Sequence, residues 1–316
     1  MKSLLRQIAF LVSRLFDNPL APPTDAERRL WERLKTDVED VPLPSAVSAS
    51  AAENAWLGFL AQLRENIRHD DPREFLRWPV IMRTMFVNFA PFVFRELRFL
   101  RAQDWRGRWK EAISESDVGR PHRYPFYPAS SGNLIHYAHH LASFERHMRA
   151  SIADMKCVVE FGGGYGGMCR LIHQLGFKGR YLIFDLPYLS ALQRYYLRSD
   201  GQPVGAPQDV AKSHLGIACV STIDALRTLT ERIDDKRNAL FLATWSLSEA
   251  PIAVREHVLP LLTRMGNVLV GYQERFGEID NRTFFTDWVR ARPDLTWKNK
   301  SILHLPGNWY LFGRST

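Results

Sequence analysis

Two acids stand out for the chemistry their neighbours allow. Glu160 lies in CVVEFGGGYGG, residues 157–167, where five of the last six residues are glycine; Asp185 follows 25 positions after it and closes RYLIFD. Glycine weakens helices and strands, so such a cluster marks a turn where the backbone comes close to something. Gly162, Gly164 and Gly167 carry the G-x-G-x-x-G spacing that seats a dinucleotide pyrophosphate at a helix N-terminus. Glu160 argues against that ligand, because a carboxylate at the strand tip repels a pyrophosphate and suits a cationic group. Asp185, at the end of the next apolar run, offers paired acceptors to a ribose diol. Glu160-x-Gly162-x-Gly164-x-Gly166 followed by Asp185 therefore fits S-adenosylmethionine, which has an ammonium and a ribose but no phosphate. Gly163, Tyr165 and Leu186 complete this expected cofactor set. A nicotinamide-dinucleotide enzyme remains the competitor, and a capping Glu160 over a tight glycine turn is the purely structural alternative.

These residues need a strand–turn–helix scaffold, and the sequence from Cys157 onward supplies one. CVVEF, RYLIFD, IACVS, ALFLAT and NVLVGY are short apolar runs, and each precedes a segment with helical spacing. LTWKNKSIL and WYLFG then follow, joined by HLPGN. So short a connection forces the last two strands antiparallel, because a parallel pair needs a long crossover. The expected fold is α/β: a Rossmann-like, mostly parallel sheet with the last strand reversed and helices on both faces. Ligands of such a sheet bind beyond the carboxyl ends of its strands.

The first third reads differently, as all-helical. Thr24 and Glu27 have capping-box spacing and start a helix through about Lys35. DNPLAPPTDA and VPLPSAVSAS read as linkers, while AAENAWLGFLAQLRENIRH and VIMRTMFVNFAPFVFRELRFLRAQ are apolar at helical spacing. RPHRYPFYPASSGN forms a loop before the helix NLIHYAHHLASFERHMR. The expected division is a helical region over 1–120, a loop and helix covering the active site over 121–150, and a catalytic domain over 151–316.

With 46% hydrophobic and 24% charged residues the composition is that of a soluble globular protein, and no apolar run is long enough to span a bilayer. Cys157, Cys169 and Cys219 have no metal-ligand spacing and fit buried thiols in a reducing, cytoplasmic compartment. The net charge of +8 permits anionic partners. In MKSLLRQIAFLVSRLF, Leu4, Leu5, Ile8, Val12 and Leu15 share one helical face. A basic amphipathic helix over 1–16 suits packing on its own domain or on a second copy in a homodimer, and secondarily the inner membrane face.

EFGGGYGGMCRLIHQLGFKGRYLIFDLPYLSALQRYYL resembles the signature of the bacterial sugar O-methyltransferases, a branch of the class I S-adenosylmethionine-dependent enzymes. SGNLIHYAHHL, TWSLSEAP, EIDN and HLPGNWYLFG resemble further blocks of that family, so the likeness covers about residues 125–313. It implies that Glu160, Gly162, Gly164 and Asp185 bind the cofactor, and that Thr244, Trp245 and Ser246 line the pocket for it or for the acceptor. The acceptor it implies contains a sugar, from a polysaccharide, glycolipid or glycosylated natural product. An anionic or lipid-linked acceptor would also account for the basic charge.

Methyl transfer to a hydroxyl needs alignment with the sulfonium and a base for the proton. His304, in the HLPGN turn, and Glu249, in TWSLSEAP, both fall on the carboxyl edge; Glu274 and Asp280 are weaker candidates. His136 and His140 lie one helical turn apart. They lack the carboxylate of His-Glu-x-x-His, so no metal site is assigned, and they read as acceptor contacts or as plain helix-face histidines, with any metal need left open. Trp309, with Tyr124, Phe126 and Tyr127, offers ring faces to a sugar. No nucleic-acid partner is expected, because TWSLSE replaces the Asn/Asp-Pro-Pro-aromatic run of base methylation. A nucleic-acid or other small-molecule acceptor, or a non-catalytic protein of the same fold, are the rival readings.

Overall fold

The computed structural model describes residues 19–42, 51–87 and 89–315, so the 1–16 segment and most of the 41–50 linker lie outside the described residues. The chain divides into two compact units: Met1–His139 with Pro187–Gln202, and His140–Leu186 with Pro203–Thr316. The helix Gly132–Met148 contains one of the boundaries.

In the first unit the longest helices are Asp25–Glu39, Ala51–His69, Phe92–Arg101 and Pro187–Ser199. The Thr24 hydroxyl accepts from the Glu27 amide at 3.2 Å, and the Glu27 carboxylate accepts from the Thr24 amide at 2.7 Å. That capping box starts the first described helix where the sequence placed it, although the helix runs on to Glu39. It packs on Pro187–Ser199, where Arg194 donates to Asp37 at 2.9 Å and the Tyr188 hydroxyl donates to the Val41 carbonyl at 2.6 Å. The stretch VIMRTMFVNFAPFVFRELRFLRAQ, apolar at helical spacing, forms two helices, Pro79–Thr84 and Phe92–Arg101, with Pro91, which lacks an amide donor, at the N-cap of the second. Between them Asn133 donates to the Met85 carbonyl at 2.7 Å and accepts from the Val87 amide at 2.8 Å, replacing helical partners. The proline-rich loop contains a short antiparallel hairpin, Arg123–Tyr124 with Tyr127–Ser131.

The second unit holds a seven-stranded sheet. Its strands are β1 (Cys157–Phe161), β2 (Arg180–Phe184), β3 (Gly216–Val220), β4 (Ala239–Thr244), β5 (Asn267–Gln273), β6 (Leu295–Ser301) and β7 (Asn308–Ser315). Their spatial order is β6-β7-β5-β4-β1-β2-β3. All neighbours are parallel except β7, which runs against both β5 and β6. This is the mostly parallel, Rossmann-like sheet with a reversed last strand that the apolar runs and the HLPGN turn predict.

On one face Val159, Leu182, Phe241, Val270 and Leu311 form a core with Leu226, Leu229, Val258 and Phe285 from the connecting helices. Phe241 is fully buried, and truncating such a ring to alanine costs about 3–5 kcal/mol. On the other face Tyr181 meets His173, and Phe312 meets Phe144. At one edge β6 pairs only with β7 and exposes Lys298, Asn299, Lys300 and Ser301. At the other, Ile217 of β3 forms a bridge to Val204. Among the described residues no helix is long and apolar enough to cross a membrane.

Candidate cofactor and catalytic site

The parallel strands of the second unit deliver their following loops to one edge. The glycine loop leaves β1 there and runs into the helix Gly167–Gln174. Gly162 has φ +70°, and a Cβ at this position would come within 2.2 Å of the Ser246 Cβ. No other residue satisfies both the left-handed backbone and that close approach. The turn is pinned from below: the Gly162 amide donates to the Phe184 carbonyl at 2.8 Å, and Ser246 Oγ donates to the Phe161 carbonyl. Tyr165 turns inward and is buried.

Asp185 stands just past β2 and ties this loop down. Its Oδ2 accepts from the Gly164 amide at 3.1 Å and its Oδ1 from the Leu186 amide at 2.8 Å. A carboxylate oxygen can accept a second donor, so the acid suits a diol while it holds the loop. Leu186 beside it is 37% exposed, so its side chain is open to contact with a flat apolar group.

Glu160 departs from the sequence expectation. Its side chain does not project from the strand tip: it is 3% exposed, accepts from the Tyr181 hydroxyl at 2.8 Å, and lies against Gly163, where a Cβ would be 3.0 Å from Oε2. Burial, together with the nearby charge of Asp185, pushes its pKa up to about 8 although the Tyr181 bond opposes this. A group in that state is largely protonated at neutral pH, so Glu160 does not present the bare negative charge to an ammonium that the sequence suggests. The side chain underpins the loop from within.

At the tip of β4, Thr244 precedes the sharpest bend of the edge. Trp245 has φ 63° and ψ −39°, a left-handed conformation that costs a bulky residue about 1–3 kcal/mol. Three hydrogen bonds enforce it. The Trp245 amide donates to the Gly271 carbonyl at 2.7 Å, its indole donates to Asn308 Oδ1 at 2.7 Å, and its carbonyl accepts from Ser248 Oγ at 2.7 Å. The ring lies 5.2 Å from that of His140, whose Nδ1 is 2.5 Å from the Tyr310 hydroxyl. Backbone held so far from its preferred state clusters at ligand-binding and catalytic turns.

Glu249 ends the turn Ser246–Glu249 and is half-buried, with its Oε1 accepting from Gln273 at 3.3 Å. Burial raises its pKa, moving it toward the range a general base needs. The turn rests on a polar network absent from the sequence reading. Arg255, fully buried, donates to the carbonyls of Ala250 and Ser248 and to Asn281 Oδ1, and Asn281 donates to the Gln273 carbonyl. Arginine and asparagine inside helices look like surface residues in a sequence; only the turn's unsatisfied carbonyls reveal their role.

The remaining candidates occupy several places. His304 lies in the turn between β6 and β7 on the same edge and is half-buried. Trp309 opens β7, but Arg282 covers a ring face at 3.8 Å and its indole donates to Glu274 at 2.8 Å, so that face is not bare as expected. Asp280 caps the helix Asn281–Arg290 by accepting from the Thr283 amide, which holds its carboxyl below the usual range. His136, in the first unit, contacts the buried Glu96 at 2.8 Å. Although His136 and His140 lie one turn apart on one helix, they have different partners, and the structure does not show them as a pair.

No family model and no curated protein matches the chain. Solved structures similar to parts of it include a precorrin-6y C5,15-methyltransferase from Geobacter metallireducens GS-15, at 13% identity and TM-score 0.36, covering 59% of this chain and 89% of that one. The methyltransferase domain of bacterial CtHen1 aligns at 12% identity and TM-score 0.36, over 55% of this chain and 99% of that one. A glycopeptide N-methyltransferase, MtfA, complexed with S-adenosyl-L-methionine, aligns at 11% identity and TM-score 0.37, over 56% and 87%. Likenesses this loose carry no argument about function, which rests on the residues of the site.

Proposed function

We propose that the chain is an S-adenosylmethionine-dependent methyltransferase acting on a sugar hydroxyl. One observation carries the cofactor: a glycine turn leaves β1 and is fastened by the Gly164 amide to Asp185 at the tip of the neighbouring strand, 3.1 Å away. A ribose held by Asp185 would lie beside the glycine backbone of the loop, where a sulfonium can approach without a side chain between. The cofactor supplies the electrophilic methyl group. Asp185 would orient the ribose, Leu186 the adenine, and the loop from Gly162 to Gly166 the methionine portion, with Thr244 and Trp245 closing the site from β4. Glu160 acts in this reading by supporting the loop.

The hydroxyl acceptor is favoured by the groups on the same edge. Glu249, with its pKa raised by burial, and His304 can each take a hydroxyl proton. The likeness of the sequence blocks to sugar O-methyltransferases supports a sugar as the acceptor. Calorimetry with S-adenosylhomocysteine and, separately, with a nicotinamide dinucleotide tests the cofactor. Saturable binding of the first alone is expected; binding of the second alone would overturn the reading. Release of adenosylhomocysteine with sugars, but not with oligonucleotides, tests the acceptor.

A further inference from the structure

The first unit carries a surface that this reading does not use. Along the helix Phe92–Arg101, Val93, Glu96, Leu97 and Leu100 are buried, while Phe94, Arg95, Arg98 and Arg101 are exposed. Positions 94, 98 and 101 fall on one stripe of the helix. Phe94 is 41% exposed and Phe126, from the loop inside the hairpin, is 67% exposed; their rings meet edge-on at 5.5 Å. Single exposed apolar residues are ordinary, but two adjoining phenylalanines among arginines form a patch. Arg106 extends the positive charge beyond the helix, with Asp104 as the exposed acid between. Arg95, Arg98 and Arg106 form no ion pair among the described residues, so their charge is not neutralised within the protein.

We propose that this face docks on the surface of an anionic lipid bilayer. The arginines match the negative headgroup layer, and the two phenylalanines have no polar atom and suit the boundary where acyl chains begin. Single-stranded nucleic acid, the other polyanion, needs open aromatic faces for base stacking. Beyond Phe94 and Phe126 themselves, the neighbouring rings do not offer a continuous stacking track: the Arg101 guanidinium sits over Trp105 and Tyr127 at 5.5 and 5.6 Å. The proposal is independent of methyl transfer and of the 1–16 segment.

The test is co-sedimentation of the full chain with vesicles, either phosphatidylcholine alone or phosphatidylcholine with phosphatidylglycerol. Binding to the anionic vesicles only, weakening as salt is raised, is expected. Arg95→Gln with Arg98→Gln should weaken it about thirtyfold, at about fivefold per charge near the surface. Phe94→Ser with Phe126→Ser should weaken it about a hundredfold, at about tenfold per ring withdrawn from the lipid boundary. All four side chains are exposed, so urea unfolding curves should stay at the parent position. Equal binding to both vesicles, or anionic binding unchanged in both variants, overturns the proposal. Two further results would also overturn it, each coupled to an absence of vesicle binding. One is retention of an oligonucleotide that the arginine variant loses; the other is a dimer that the phenylalanine variant dissociates.

Discussion

Replacing Glu160 by glutamine probes the electrostatics at the root of the glycine loop. The carboxyl is 3% exposed and its pKa is pushed up to about 8 from an ordinary 4.5. The folded chain therefore keeps a proton on Glu160 that the unfolded chain has already released. For a group whose folded pKa is raised, the stabilisation is complete below the unfolded value and is lost as pH rises through the folded one. Each pH unit in that window costs about 1.4 kcal/mol, so between the ordinary 4.5 and about 8 the loss is about 5 kcal/mol, of which about 3 kcal/mol is gone by pH 7. Glutamine keeps an oxygen for the Tyr181 hydroxyl and cannot ionise. The variant should therefore gain on the parent progressively as pH rises from 5 to 8, by several kcal/mol. Urea denaturation of both proteins across that range measures it, and subtracting the two curves cancels every other titrating group. A difference that stays flat would refute the reasoning, because it would mean Glu160 ionises as readily inside the fold as outside it.

Gly162→Ala places a Cβ against Ser246 at a left-handed position, and should lower unfolding stability by about 2 kcal/mol or more while abolishing adenosylhomocysteine binding in calorimetry. Asp185→Asn keeps an acceptor oxygen for the loop but loses the charge and one acceptor. Its amide nitrogen must also face either the Gly164 or the Leu186 amide, so cofactor affinity should fall about tenfold or more and the melting temperature should drop as well, by the cost of one unpaired amide. Glu249→Gln should slow methyl transfer about a hundredfold or more and remove the acid limb of the pH–rate profile. In the parent that limb lies above the ordinary carboxyl range, because burial raises the group's pKa and the rate climbs as the proton leaves. If the variant keeps the parent limb, the base lies elsewhere, and His304 becomes the group to replace.

The sheet was legible because burial on both faces demands uninterrupted apolar runs: CVVEF in β1 is buried at every position. The reversed last strand followed from the length of the HLPGN turn, and the first described helix from the Thr24–Glu27 box. Other features came from partners remote in sequence. Asn133 supplies the partners of backbone groups between two helices some 46 residues before it, a relation no local pattern carries, although Pro91 marks the break itself. Trp245 adopts φ 63° only because Gly271, Asn308 and Ser248 hold it; tryptophan itself gives no sign of that conformation. For Glu160, position in the strand was readable, but its direction depended on Tyr181 of the next strand being there to receive it.

The placement of β7 between β5 and β6 leaves β6 as the outermost strand, with a full row of backbone groups turned toward water. Such a border invites another chain to add itself and keep growing. Lys298 and Lys300, one on each side of Asn299, put positive charge along that border, so two copies meeting there would repel. Self-association by strand extension is thereby discouraged along this edge of the sheet.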